Sequence, residues 1–328
     1  MGPVYALSML LFDSKKHKVI GQSPKTNCIV AFQAYDKTRL HKNVFAKSFF
    51  ESRVVPSIHV IPKDGNYWYH DIELLQYLEQ LTRQKHNLMF YGASMGGYGA
   101  FHYAQMLNAS CLSISPQLRI FGAVRESDKR WADDWESIEP AFNEEDNLVV
   151  SSKNIWIFAD TKFHLEKLHL QQVQNLGDQL IAVDWTMHTA IRCLTKVEAF
   201  KRLFLEFHST GEIKPTAGDY TKIFELDVQT KLNGIRNGQG SFRHQWAQVA
   251  MNKAILNHDH VSLFMLAELF ADHDSPADAL ICSRVGFILN PVPYMKQKHM
   301  AISEKIEATN LDAEIQWIQT VETSLLKD

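Results

Sequence analysis

Glycine and serine alternate as Gly92-x-Ser94-x-Gly96 within FYGASMGGYGA, residues 90–100. A serine hydroxyl is a weak nucleophile. It attacks an acyl carbon only when a base takes its proton and donors stabilise the oxyanion that forms. The apolar run Asn87–Tyr91 before the motif reads as a strand, and Gly97–Leu107 after it reads as a helix, which places Ser94 on the turn between them. The flanking glycines would let strand and helix approach a serine held in a strained backbone conformation. Gly97 and Gly99 allow that helix to pack closely. The plainer reading is a glycine-rich bend, and only a base and an acid elsewhere in the chain distinguish the two.

Both are present, downstream and in the order serine, acid, histidine. The strand NIWIFA ends at Asp160, and LIAVDWTMH reaches His188 just past the last strand. The roles expected are Ser94 as nucleophile, His188 as general base and then acid, and Asp160 as orienting carboxylate. Asp184 is a rival acid, only four residues before His188. The competing readings are a helix cap for Asp160 and an ordinary surface position for His188.

The amide of Met95, at the helix start, faces a developing oxyanion in this arrangement. The second donor is expected after the strand CIVAFQAY, from the backbone of Gln33 or Ala34 or from the Gln33 side chain. Candidate substrate contacts are Tyr67 and Trp68 in KDGNYWYHD, Trp131 and Trp135 in RESDKRWADDWESIEPAFNEED, and His164 beside Asp160. Aromatic faces and hydroxyls there suit a sugar or another polar ring. The alternative for Tyr67 and Trp68 is a sheet lip packing its own loop. Arg125–Asp146 carries nine acidic and three basic side chains, which fits either a solvated docked segment or a cap over a cleft.

These residues need a scaffold, and the first 200 residues supply a strand-then-helix rhythm. Candidate strands are Val4–Phe12, Lys18–Gly21, Asn27–Gln33, Ser57–Ile61, Asn87–Tyr91, Ser110–Ser113, Asn154–Ala159 and Gln179–Val183. Most are short apolar runs without strict alternation, as expected of strands buried on both faces of a mostly parallel sheet. Helical spacing marks Asp71–Arg83, Gly97–Leu107, Glu166–Leu176 and one long helix over Thr189–Phe207. From about residue 208, HSTGEIKPTAGDYTK reads as a linker or crossover, and the remainder has helical patterning only. The expected organisation is an α/β domain over 1–207 with residues 117–150 as a candidate cap, a linker or crossover over 208–240, and a helical region over 241–328.

The totals exclude several classes. With 34 basic and 37 acidic residues among 328, and no basic run, nucleic acid is not an expected partner. No stretch approaches a membrane span, and the N-terminus lacks the charge pattern of a signal peptide. Cys28, Cys111, Cys193 and Cys282 lie far apart without metal-ligand spacing, as expected of buried free thiols in a reducing cytoplasm. There is no H-E-x-x-H, no P-loop and no cysteine cluster, so neither a metal nor a cofactor is expected.

Residues 1–207 resemble an α/β-hydrolase domain, with YGASMGG as nucleophile motif, Asp160 after IWIFA as the acid and His188 in the histidine turn. The style of these motifs is similar to that of bacterial polysaccharide-modifying proteins, among them capsule O-acetyltransferases and carbohydrate esterase-like proteins. Two departures stand out: no HGGG-type oxyanion segment is present, and Met187 replaces the glycine common before the histidine. Counted from His260, the spacing of Leu266, Ala267, Phe270, Ala279 and Pro291 resembles a tetratricopeptide repeat. The resemblance implies a serine-dependent acyl-ester hydrolase, acting on an acylated carbohydrate, with a protein partner for the helical region. One alternative is an O-acyltransferase moving an acetyl group to a polysaccharide hydroxyl. Another is a non-catalytic scaffold.

Overall fold

The computed structural model describes residues 9–220 and 244–306, apart from positions 23, 25, 37, 39, 64, 85, 137, 151–153, 162, 184, 185, 187, 189, 257, 258, 274 and 292. The chain folds as two units, Met1–Ile223 and Phe224–Asp328.

Among the described residues the first unit is built on eight strands: β1 (Met9–Asp13), β2 (His17–Gly21), β3 (Asn27–Phe32), β4 (Ser57–Pro62), β5 (Asn87–Ala93), β6 (Ser110–Ile114), β7 (Ile155–Ala159) and β8 (Leu180–Ala182). They form one sheet in the order β1-β2-β4-β3-β5-β6-β7-β8. β1 and β2 pair antiparallel and β2 runs antiparallel to β4, whereas all later pairings are parallel. Parallel neighbours need crossovers, and the helices supply them. They are α1 (Lys47–Ser52), α2 (Ile72–Arg83), α3 (Met95–Leu107), α4 (Ala123–Ser127), α5 (Ala132–Glu136), α6 (His164–Leu170), α7 (Ala190–Leu194) and α8 (Glu198–Thr210). The sheet is mixed with a largely parallel core, and Ser94 stands at the junction where β5 runs into α3.

Strand residues alternate between two cores, as the two-residue period of a strand requires. Cys28, Val30, Phe32, Leu88 and Phe90 join α2, α3 and Trp135 on one face. Ile29, Ala31, Met89 and Tyr91 join Phe50, Phe200 and Phe204 on the other. Both faces are covered, so β4 and β6 are buried along their whole length, with Ser57 and His59 of β4 buried among them. Asp71 starts α2 by accepting from the amides of Glu73 and Leu74, and Leu74, Leu78 and Leu81 form its buried stripe.

Three boundaries differ from the sequence reading. The long helix expected over Thr189–Phe207 is two helices, α7 and α8, because Val197 takes an extended conformation. The apolar spacing continues through this break, so periodicity alone does not reveal it. The helix expected over Glu166–Leu176 ends at Leu170. The first unit also extends past residue 207, since Ile213 and Tyr220 are buried in the core beside α8.

In the second unit α9 (His244–Leu256), α10 (His260–Asp272), α11 (Pro276–Leu289) and α12 (Pro293–Ile306) follow one another, each packed on the next. Asp259 caps α10 through the Ser262 amide, and a Cβ on Gly286 would press into the Phe264 ring, so the small residue allows α10 and α11 to close. Residues 221–243 and 307–328, including the rest of the expected linker, lie outside the described residues. Among the described residues no helix is long and apolar enough to cross a membrane.

The glycines around Ser94 have a steric cause. A Cβ on Gly92 would lie under 3.0 Å from the Gly96 carbonyl, and one on Gly96 under 3.0 Å from the Phe32 carbonyl. Both obstacles are backbone and cannot rotate away. Gly92→Ala is therefore expected to lose about 3 kcal/mol or more of stability, the upper end of overpacking costs, read as the shift of a urea unfolding midpoint. An unchanged midpoint would contradict this packing.

Candidate active site

Ser94 connects β5 to α3 with φ 57° and ψ −125°, a conformation few non-glycine residues adopt. The Ser94 N–H remains in the sheet, donating to the Ile114 carbonyl at 2.9 Å, while the side chain turns away from it. Strain at a residue so firmly held on both sides is a recurrent property of reactive positions.

The Ser94 Oγ lies 2.8 Å from His188 Nε2. On the other side of the ring, Nδ1 lies 3.1 Å from Glu166 Oε1. The Nδ1–H donates to the carboxylate, which leaves the Nε2 lone pair free to accept the serine proton. Thr186 shapes the turn after β8 by donating its hydroxyl to the Val183 carbonyl at 2.7 Å, and His188 follows two residues later. Asp184 and Met187 lie outside the described residues.

The orienting carboxylate is therefore Glu166, where the sequence reading expected Asp160. Asp160 is buried, and its Oδ1 accepts from the Phe163 amide at 3.0 Å, in the turn that leads into α6. Its own N–H donates to Glu166 Oε2 at 2.8 Å. Asp160 thus caps the turn and holds the acid in place. The longer Glu166 side chain, on the first turn of α6, spans back to the histidine. Both carboxylates follow β7 within a few residues, and the sequence alone does not say which one reaches the ring.

On the oxyanion side the candidates are Met95, Gln33 and Ala34. Gln33 is bound on every polar atom. Its N–H donates to the Val60 carbonyl, its Nε2 donates to Asn43 O at 3.0 Å, its Oε1 accepts from Phe45 N at 2.8 Å, and its carbonyl accepts from the Tyr69 hydroxyl at 2.5 Å. It anchors the loop, with one N–H of its Nε2 committed to Asn43. Among the described residues the Met95 and Ala34 N–H groups have no acceptor. Gly96 packs against the Phe32 and Gln33 carbonyls, which brings the end of β3 to the start of α3.

The expected aromatic contacts separate into two groups. Trp131 is half-buried, with its ring centroid 5.2 Å from that of His188. Trp68 and Trp135 are fully buried and pack edge to face at 5.4 Å, with Trp131 near both. They belong to the core beneath Trp131 instead of contacting a substrate. Tyr67 packs edge-on to His17 at 5.8 Å. His164 is the first residue of α6, and its side chain lies outside the described residues.

The segment expected as a cap is fastened to the helix that carries the elbow. The Tyr98 hydroxyl on α3 donates to Glu144 Oε1 at 2.7 Å and meets His70 Nε2 at 2.6 Å. His70 Nδ1 accepts from the Ala141 amide, so its proton is on Nε2 and it bonds as a neutral ring. Glu144 also accepts from the Ile120 and Phe121 amides. Asp128 is fully buried between Arg130 and His169, and the Arg130 guanidinium stands 4.4 Å over the Trp131 ring.

Burial keeps His70 uncharged, with its pKa lowered to about 3, and lowers those of His59 and His102 to about 4. In the unfolded chain a histidine titrates near 6.5. Below that pH the unfolded chain binds protons that the folded one does not, so stability falls as pH drops from about 6.5 toward 4. Asp71, held near 2 against burial by its bonds with His17 and Ser14, contributes a further loss only below about pH 4. Melting temperature followed by circular dichroism is expected to fall steadily from pH 6.5 to pH 4.5, and a flat profile there would contradict it.

One residue of the site was missed in the sequence. Gln117, fully buried after β6, places its carboxamide against both Ser94 and His188. A glutamine in SISPQLR carries no motif, and only its position three residues past a central strand, at the edge where Ser94 stands, signals it.

No protein-family model and no curated protein matches the chain. Among solved structures, it is similar to the capsule O-acetyltransferase of Neisseria meningitidis serogroup A, at 17% identity and a TM-score of 0.44, over 59% of this chain and 93% of that one. It is similar to a serine hydrolase without a lid from Xanthomonas campestris, at 15% identity and a TM-score of 0.39, over 65% and 98% of the two chains. It is also similar to the Glycosylation Associate Protein complex from Streptococcus agalactiae, at 15% identity and a TM-score of 0.44, covering 63% of this chain and 48% of that one. What defines the fold is the strand order and the elbow themselves.

Proposed function

We propose that this chain is a serine-dependent acyl-ester hydrolase working through an acyl-enzyme. The observation that carries the proposal is the relay from Ser94 Oγ through His188 to Glu166, with the serine at a positive φ between strand and helix. Ser94 attacks the acyl carbon as its proton passes to His188 Nε2. The Met95 and Ala34 amides stabilise the oxyanion, Met95 with the added field of the α3 N-terminus. His188 then protonates the leaving alcohol, and water repeats the sequence to release the acid. Glu166 keeps the ring in the required tautomer and offsets the charge of the imidazolium.

A carbohydrate ester is the substrate class that suits Trp131, a half-buried indole face beside the catalytic histidine. Trp131→Ala is expected to raise KM for an acetylated sugar about five- to tenfold, worth about 1–1.4 kcal/mol, with a smaller effect on kcat. Equal KM values for the two proteins would remove Trp131 from the substrate site. For the helical unit, the proposed role is protein contact, and the tetratricopeptide-like register from His260 is part of that proposal.

The primary test is covalent labelling with a fluorophosphonate, together with a p-nitrophenol burst on mixing with p-nitrophenyl acetate. Labelling at Ser94 and a burst of one equivalent are expected. Absence of both would reject the enzyme reading.

A further inference from the structure

The Gln117 carboxamide has a defined orientation. Its Nε2 donates to the Ser115 carbonyl at 3.1 Å, and the reverse orientation would set two oxygens against each other. Its Oε1 lies 3.3 Å from Ser94 Oγ, whose single hydrogen is directed to His188 Nε2 at the shorter distance of 2.8 Å. The Nε2 also lies 3.2 Å from His188 Nδ1 and 3.3 Å from Nε2. Near-equal distances to both ring nitrogens place the amide over the ring face, because Cε1 would obstruct it in the plane. The side chain is fully buried, so bulk water does not solvate it.

This oxygen has no full donor in the acyl-enzyme. Ser94 Oγ becomes an ester oxygen and loses its hydrogen, and among the described residues no other group donates to Gln117 Oε1. A buried acceptor without a donor is unfavourable. The nucleophile of the second half-reaction must give one hydrogen to His188 Nε2. A second hydrogen on the same or an adjacent oxygen would give Oε1 a donor.

We propose that Gln117 is a positioning residue that selects the deacylating nucleophile, favouring one that brings two O–H hydrogens, water or a vicinal diol, over a simple alcohol. The proposal rests on the acyl-enzyme reading above. With water, the oxygen bonds to the acyl carbon while one proton passes to His188 Nε2 and the other hydrogen bonds Oε1. Collapse breaks the acyl carbon–Oγ bond, Oγ recovers the proton from His188, and the carboxylic acid leaves. With a diol, one hydroxyl attacks in the same way while its neighbour donates to Oε1, and the product is a monoester.

The test uses the full chain with p-nitrophenyl acetate as acyl donor and equal hydroxyl concentrations of ethanol or ethane-1,2-diol. Acetate, ethyl acetate and glycol monoacetate are quantified. In the parent the diol is expected to capture acetyl at least about threefold better per hydroxyl than ethanol, and acetate against monoacetate reports how water and diol compare. Gln117→Met is expected to remove that preference and lower the acetate-to-ethyl acetate ratio about tenfold, whereas Gln117→Glu, which keeps an acceptor oxygen, retains it. These ratios do not depend on how fast the acyl-enzyme forms. Equal capture of ethanol and diol by the parent, which needs no variant, would overturn the proposal, as would an unchanged ratio in Gln117→Met. A parent chain with neither fluorophosphonate labelling nor a burst would reject the acyl-enzyme reading itself.

Discussion

Ser94→Ala is expected to lower kcat for ester hydrolysis by about 10⁵- to 10⁶-fold, because a residue acting in a unit with a base and an acid cannot be removed in part. A residual rate about 10³–10⁴ above that in water would remain from the oxyanion donors and from binding. The fold is expected to survive. Alanine carries the same Cβ as serine, so the strain at φ 57° is unchanged, and the backbone bond from residue 94 to Ile114 does not involve the hydroxyl. The comparison is made with steady-state rates, fluorophosphonate labelling and a melting curve on both proteins. Labelling that persists in the alanine variant would place the nucleophile elsewhere.

The second large effect distinguishes the two carboxylates after β7. Glu166→Gln is expected to lower kcat about 10⁴-fold, the loss seen when the orienting acid of a triad becomes an amide. The surroundings determine how that amide would sit. The Asp160 N–H donates to Oε2, so the glutamine oxygen would face Asp160 and its NH₂ would face His188 Nδ1. That arrangement drives the imidazole proton to Nε2, the atom that must accept from Ser94. Asp160→Asn keeps an oxygen for the Phe163 amide and is expected to change kcat by less than about tenfold. Measured side by side, a reversed order of effects would return the orienting role to Asp160.

The two variants also mark the limit of what could be read along the chain. The central parallel strands were legible because each is a short apolar run, and burial on both faces is a local property of composition. The turn at Ser94 was legible because the glycines at 92 and 96 are needed wherever a strand runs into a helix this closely. The break between α7 and α8 was not, since the buried stripe from Ala190 to Phe207 keeps its spacing across it.

The sequence by itself determined the alternation of strands and helices, the nucleophile with its strained turn, and the histidine after the last strand. These depend on turn chemistry and periodicity, which act between neighbours in the chain. Tertiary structure decided which acid meets the ring, that Gln33 anchors a loop, and that Trp131 faces His188 while Trp68 and Trp135 are buried. It also brought Gln117 to Ser94. Each of these depends on side chains from separate loops meeting at one sheet edge. A difference of one bond in side-chain reach changes the partner there, and no local pattern records it.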